Sequence, residues 1–257
     1  MTQLTEMPEV IEPTEALARR AWPLTYPVAV VALLVFMLIA EALCWAAGAR
    51  WGASKTVMSN IFVVISTSVI VAVLVLAWLP LKGQAHLDRA QRREKMAFSW
   101  LAVLAVVHLT WEMPWVIFHR WIMGSAGVGK LWSYLWWIYA DGGDNRYIHP
   151  PPDLLAMETG ASILGLTALV LLLLRIRAKR FTGGILVGVL VLMTCEFFST
   201  VIYILSECYA HFANVTGGSA NFVIKFVYGN ILWLIVPVIV FLWAARLLIS
   251  LREAAAA

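Results

Sequence analysis

Six stretches of nearly continuous apolar residues dominate the chain, and each is long enough to form a membrane-spanning helix. They cover residues 26–48, 57–80, 97–118, 154–174, 184–205 and 222–248. A helix needs about 20 such residues to cross roughly 30 Å of hydrocarbon. The pattern predicts an all-α, polytopic membrane bundle of six transmembrane helices, with a polar tail over 1–25 and a short tail over 249–257.

The composition agrees with this pattern and excludes several classes of protein. Of the 257 residues, 62% are hydrophobic and only 13% are charged, whereas about 25% of the residues of a soluble domain are charged. A soluble enzyme, a disordered protein and a nucleic-acid-binding module are therefore excluded. The net charge of +4 reflects membrane topology, because most Lys and Arg residues lie in the two tails and in the loops over 82–95 and 175–180. This bias predicts that both termini are cytoplasmic.

The longest connection runs over residues 121–153 on the predicted outer side. It is rich in Trp, Tyr and Gly, and it ends in three prolines at 150–152. A connection of this length without an apolar span is typical of a functional loop or a lid. We expect Tyr139, Arg146 and Tyr147 to close the outer mouth of a cavity.

Ionisable side chains inside the spans are costly in a membrane, and each is a candidate for function. His108 and Glu112 are four residues apart, so they share one face of the third helix. Glu158 lies about one turn inside the outer boundary of the fourth span, and Glu196 lies near the middle of the fifth. The predicted topology brings these groups to overlapping depths, which indicates one cavity open to lipid or to the outer loop.

Structural interpretations of the same residues stay open at this point. His108 and Glu112 also fit a buried structural pair, and Glu158 fits a solvated acid at a helix start. Together the three side chains match the ligand number of catalytic zinc, although no second histidine inside a span supports a metal.

The other polar residues in or near the spans are expected to have simpler roles. Glu41 has no obvious partner and is expected to be a packing or interfacial acid. Glu207 and His211 are expected at the membrane edge. Asn230 and Trp233 lie three residues apart, on one face of the sixth helix.

Five short motifs follow one another in a fixed order along the chain. They are HLTWE at 108–112, LWWIYA with DNRYI at 135–140 and 144–148, MET at 157–159, YILSE at 203–207 and NILWLIVP at 230–237. In this order and spacing the chain resembles the emopamil-binding protein family of sterol Δ8–Δ7 isomerases, within the EXPERA superfamily. The resemblance covers roughly residues 57–245.

The resemblance implies a five-helix catalytic bundle over 57–248, to which residues 26–48 add one N-terminal helix. It implies catalytic roles for His108, Glu112 and Glu158, and no cofactor or metal. Asn230 and Trp233 would line the same cavity. Further candidate substrate-binding residues are Trp111, Tyr139, Tyr147, Ser162 and Glu196.

The implied function is an intramembrane shift of a ring double bond in a sterol, steroid or related polycyclic isoprenoid. Such a shift adds a proton at one carbon and removes another proton nearby, through a carbocation. His108 and Glu158 would share the donated proton and Glu112 would accept the departing one, or these roles would be exchanged. Trp233 would shield the cation, because an aromatic face attracts positive charge, and Asn230 would orient a neighbouring group.

The resemblance also implies that cationic amphipathic amines inhibit the protein and that it forms a homodimer. We expect an integral multi-pass protein of a prokaryotic plasma membrane or of a eukaryotic endoplasmic reticulum. The four terminal alanines, in place of a lysine-rich tail, favour the former.

Departures from the family pattern predict altered cavity walls. Ala161, beside Ser162, occupies the position of a family threonine, and Glu196 and Thr200 occupy those of a glutamine and an aspartate. Two alternatives to catalysis remain: a binding protein for sterols or amphipathic amines in the same superfamily, and a small proton-coupled transporter.

Overall fold

A computed structural model describes residues 25–79, 87–124, 131–141 and 143–256 of the chain. Residues 1–24, 80–86, 125–130, 142 and 257 lie outside the described residues, among them most of the predicted polar tail and the first part of the predicted loop over 82–95. Nine α-helices occur within the described ranges. They are α1 Thr25–Trp51, α2 Lys55–Trp78, α3 Arg89–Val107, α4 Met113–Gly124, α5 Leu131–Asp141, α6 Pro152–Ala178, α7 Gly183–Tyr209, α8 Gly218–Asn221 and α9 Ile231–Ala256.

Six apolar helical spans confirm the predicted fold class, and no strand occurs in the described ranges. The last four spans are longer than predicted, and two of these contain a π-helical segment. The third runs over Arg89–Ile122 and includes the π-helix His108–Glu112. The last runs over Gly218–Ala256 and includes the π-helix Phe222–Tyr228.

Several helix boundaries follow directly from local sequence. Asp88 caps α3 by accepting a hydrogen bond from the Gln91 backbone N–H at 2.8 Å, and the Gln91 side chain accepts one from Asp88 N–H at 3.1 Å. This reciprocal pair is a capping box. Helix α6 begins at Pro152, where a missing N–H costs nothing, and ends before Lys179, which is left-handed at φ 58°.

Five of the spans form a closed ring in the order α2, α3, α6, α7 and the last span. Helix α9 packs along α7 and also touches α3, while the second π-helix contacts α2 and closes the ring. Helix α1 packs on the outside against α2 and also contacts α5. Large apolar side chains fill one end of the ring, which we call the basic-end core because Arg175, Arg177, Lys179 and Arg180 lie at that end. Its fully buried members include Trp100, Leu101, Leu104, Leu186 and Val240.

The opposite end is covered by a structured cap, and the prediction of a long loop over 121–153 is wrong in this respect. Helix α5 and a 3₁₀-helix at Asn145–Tyr147 occupy most of the described part of this segment. The aromatic residues that suggested a mobile lid supply the packing of α5, and Tyr134 and Ile138 are almost fully buried. We call residues 131–141 together with 143–150 the cap.

Candidate active site

The motif HLTWE forms a one-turn π-helix in the middle of the third span. The Met113 backbone N–H donates to the His108 carbonyl, five residues back. A π-turn inserts one residue into an α-helix and is frequent at functional sites. Gly165 of α6 lets this segment approach closely, because a Cβ there would lie 2.6 Å from the His108 Cβ.

The His108 imidazole lies between two carboxyl groups. Its Nε2 atom is 3.2 Å from both carboxyl oxygens of Glu196, on α7. Its Nδ1 atom is 3.3 Å from Oε2 of Glu112, an ion-pair distance without hydrogen-bond geometry. Because a carboxyl group lies within ion-pair distance of each ring nitrogen, this arrangement suits a positively charged His108.

Glu158 belongs to the same site but has a different partner. Its Oε1 atom accepts a hydrogen bond from the hydroxyl of Tyr147, in the 3₁₀-helix of the cap. Glu196 takes the place beside Nε2, so the expected sharing of one proton between His108 and Glu158 stays a prediction without a direct hydrogen bond in the described residues. Sequence reasoning included Glu196 only as a wall residue, because no spacing rule connects α3 with α7.

Trp233 joins the site to the basic-end core. Its ring centroid lies 5.4 Å from that of His108 and 5.1 Å from that of Trp100. Asn230, one turn before it, donates from Nδ2 to the Lys225 carbonyl at 2.9 Å. This bond supports the end of the second π-helix, so the side chain of Asn230 has a backbone partner at the cavity wall.

A network of buried charges anchors the cap to the end of α7. Arg146 donates to Asp144 through Nη2 at 2.6 Å, and its Nε is 3.0 Å from Glu207 Oε1. Arg146 also donates from Nη1 to the Ser206 hydroxyl at 2.8 Å. Tyr203 donates to Asp144 at 2.8 Å, and its ring lies 4.6 Å below the guanidinium carbon. Glu207, which is expected at the membrane edge, lies two residues before the end of α7, and its side chain is 1% exposed.

Burial and neighbouring charges shift the pKa values of two side chains of the cap, Arg146 and Tyr147. Burial works to lower the pKa of Arg146, but the hydrogen bond to Asp144 and the neighbouring carboxylates raise it above its ordinary value. Burial and the nearby Glu158 raise the pKa of the Tyr147 hydroxyl. Tyr147 therefore keeps its proton and remains the donor to Glu158 at neutral pH.

These groups face one cavity of about 720 Å³. This volume lies within the range of about 300–1,000 Å³ of small-molecule sites. Nine of the ten candidate residues line the cavity: His108, Trp111, Glu112, Tyr139, Tyr147, Glu158, Glu196, Asn230 and Trp233. Ser162 does not; its hydroxyl donates to the Glu158 carbonyl at 2.9 Å.

Two further ionisable residues on the cavity wall were not predicted there. Glu41 of α1 lines the cavity and is not merely a packing or interfacial acid. Lys225, in the second π-helix, also lines it, with Nζ 5.7 Å from the ring centroid of Tyr139. Within the described residues, no group of three or more His, Cys, Asp or Glu side chains has an arrangement that would hold a metal ion.

The fold and the site define a polytopic α-helical membrane protein with a buried histidine–carboxyl cluster on an apolar cavity. Its sequence is similar to the 3-beta-hydroxysteroid-Delta(8),Delta(7)-isomerase of Cavia porcellus, with 29% identity over 174 residues, 66% of this chain and 72% of the relative. The enzyme of that name from Mus musculus is 28% identical over 184 residues, 70% of this chain and 76% of the relative. No family model matches the chain. The resemblance to sterol Δ8–Δ7 isomerases that the motifs predicted is confirmed.

Proposed function

We propose that this protein is an intramembrane isomerase that shifts a ring double bond of a 3β-hydroxysterol or a related polycyclic isoprenoid. The observation that carries the proposal is the pairing of His108 with two carboxyl groups, with Glu158 as a third carboxyl on the same cavity. The relatives are named for the isomerisation of 3β-hydroxysteroids. Their names supply the substrate class.

The charge balance of the cluster assigns the roles. A protonated His108 compensates one carboxylate, and each additional unpaired negative charge in a low-dielectric cavity costs several kcal/mol. Glu112 and Glu196 face the imidazolium, whereas Glu158 faces a neutral hydroxyl. We therefore assign the protonated carboxyl group to Glu158 and the ionised carboxylate to Glu112. His108, which is held by Glu196, stabilises the Glu112 carboxylate. Different environments divide chemically identical carboxyl groups into acid and base in the same way in other enzymes.

The reaction then has two proton transfers. Glu158 gives its proton to one alkene carbon, the π electron pair forms the new C–H bond, and a tertiary carbocation results. Glu112 removes a proton from the next ring carbon on the other side, and the electrons of that C–H bond form the shifted double bond. Glu112 ends protonated and Glu158 ionised, so Glu112 releases its proton to solvent and Glu158 takes a proton from solvent before the next turnover.

Trp233 stabilises the cation in this scheme and makes amine inhibition testable. The attraction between an indole face and a cation is about 0.5–2 kcal/mol. Cationic amphipathic amines imitate the intermediate and would therefore bind in the same cavity. We expect Trp233→Leu to weaken amine binding more than the binding of neutral sterols, and equal losses would remove Trp233 from this role.

Conversion of a Δ8-sterol to the Δ7 isomer by the purified protein, measured by gas chromatography–mass spectrometry, tests the function directly. Glu112→Gln should abolish conversion, whereas Glu253→Gln, at the exposed end of α9, should leave it unchanged. Tight amine binding without conversion of any polycyclic substrate would support a binding protein instead.

The membrane arrangement belongs to the same proposal. Both termini are cytoplasmic by the charge bias, and residues 57–248 form the catalytic bundle, with α1 as an addition. The membrane is a prokaryotic plasma membrane or an endoplasmic reticulum, and the protein is a homodimer. Labelling of cysteines introduced at 180 and 213, beyond opposite ends of α7, in a protein whose three native cysteines are replaced by serine, would test the orientation.

A further inference from the structure

A second polar wall faces the cavity from α1 and α2. Glu41, Ser66 and Thr67 all line it. The Ser66 hydroxyl is shielded from solvent and has no hydrogen-bond partner among the described residues. No basic side chain in the described part of the chain forms an ion pair with Glu41. Polar groups in such positions are normally hydrogen-bonded, so this wall is suited to a polar group of a ligand.

The position of Glu41 follows from the packing of α1 on α2. The two helices are antiparallel neighbours, and Cys44 lies in one cluster with Met58. Glu41 is therefore level with residues 61–62, about one turn from Ser66. Phe62 in turn contacts Trp111, with 4.9 Å between ring centroids.

Glu41 lies at about the same depth in the bundle as the proposed catalytic groups. Trp111 directly precedes Glu112, so Glu41 lies at about the depth of the proposed base. The partner carboxyl of Glu196 belongs to α7, which is not a neighbour of α2 in the ring. The cavity thus separates the polar wall of α1 and α2 from the histidine–carboxyl cluster.

We propose that Glu41, assisted by Ser66 and Thr67, binds the hydroxyl group of the substrate and thereby selects hydroxysterols. This inference rests on the proposed function for its substrate class. The relatives are named for 3β-hydroxysteroids, in which the hydroxyl is on ring A and the double bond is at the fusion of rings B and C. A rigid sterol can therefore place its hydroxyl group at the wall of α1 and α2 while its double bond lies at the histidine–carboxyl cluster. A carboxyl oxygen accepts a hydrogen bond from a hydroxyl, whereas a methyl ether has no hydrogen to donate.

Ligand binding measured by quenching of tryptophan fluorescence tests the inference, because Trp111, Trp136 and Trp233 line the cavity. The probes are a Δ8-3β-hydroxysterol and its 3-methyl ether. We expect the unaltered protein to prefer the hydroxysterol about tenfold, the effect of one hydrogen bond. Glu41→Leu should abolish this preference, whereas Leu43→Gln, on the exposed side of the same helix, should retain it. A full preference in folded Glu41→Leu would overturn the inference.

A second variant covers the case in which Glu41→Leu does not fold. Glu41→Gln keeps one acceptor oxygen but replaces the other oxygen by an NH2 group, which also donates to an ether oxygen, so the preference should fall to roughly threefold. An unchanged preference in this variant would also overturn the inference.

The assay also distinguishes this inference from the proposed function. A hydroxyl preference that depends on Glu41, in a protein that converts no sterol, supports the hydroxyl site and contradicts the isomerase. If the protein converts the Δ8-sterol but its preference for the hydroxysterol is unchanged in the Glu41 variants, the hydroxyl site alone is contradicted.

Discussion

The two ends of the helix ring are built from the same helices but bury opposite kinds of side chain. In the basic-end core, Trp100, Leu101 and Leu104 pack against apolar residues of α6, α7 and α9. One turn further along the same span, His108 contacts two carboxyl groups at the wall of a cavity of about 720 Å³. The change coincides with the start of the first π-helix. A densely packed end thus holds the helices in place while the other end carries ionisable groups.

Substitutions at the two ends should therefore fail in different ways. Changes in the cavity should reduce turnover with little loss of stability, and changes in the basic-end core should do the reverse. The following predictions run from the largest expected effect on turnover to the smallest.

Glu158→Gln should lower the turnover number about 1,000-fold, within the range of a general acid. The amide cannot donate a proton to the alkene, but its oxygen still accepts the hydrogen bond from Tyr147. The thermal unfolding midpoint should therefore change little. Initial rates with a Δ8-sterol, together with a thermal scan, measure both quantities. Full turnover would remove Glu158 from the mechanism.

Gly165→Ala should lower turnover about tenfold to 100-fold, because a displacement of about 1 Å in a catalytic group has effects of this size. The added Cβ would lie 2.6 Å from the His108 Cβ and would force α6 and the π-helix apart. Gly160→Ala is the matched control on the same helix, since a Cβ there meets no atom within 4 Å. Similar rates for both variants would contradict a role for this close approach.

Tyr147→Phe should lower turnover about tenfold, the effect of one hydrogen bond. The phenyl ring keeps the packing against Trp115, whose ring centroid is 4.8 Å away, so the cap should stay folded. Steady-state rates at saturating sterol measure the effect. A loss as large as that of Glu158→Gln would indicate that Tyr147 itself transfers a proton.

Leu104→Ala should leave the turnover number of the folded protein unchanged while lowering its stability by about 2–5 kcal/mol. The side chain is completely buried in the basic-end core, so its removal leaves a cavity. Leu166→Ala is the control, because Leu166 is 46% exposed on the outer surface of the bundle. Rates normalised to the folded fraction and thermal midpoints distinguish the two. Equal destabilisation would mean that the basic-end core is not the source of stability.

The spans and most of the cavity residues were predictable, whereas their pairing was not. Apolar stretches of sufficient length define membrane helices by themselves, and the cost of burying charge marked His108, Glu112, Glu158 and Glu196. The partner of His108 depends on which helices become neighbours in the ring. Sequence spacing carries no information about contacts between α3 and α7.

The cap was mispredicted for a related reason. Residues 131–141 are too few to span a membrane, and the length of the 121–153 connection predicted a functional loop or a lid. Packing against α1 and α2 makes them a fixed helix instead. The position of Glu41 on the cavity wall was not predicted, because the cavity is formed mostly by residues of other helices.

The central claim is that the cavity protonates a ring alkene before it removes a different proton, and heavy water tests this most directly. The purified protein would be incubated with a Δ8-sterol in deuterium oxide, and the product would be analysed by gas chromatography–mass spectrometry. We predict a Δ7 product that carries one new deuterium, and no such product from Glu158→Gln. A Δ7 product without deuterium, formed at the full rate, would contradict protonation by a solvent-exchangeable group and with it the assigned role of Glu158.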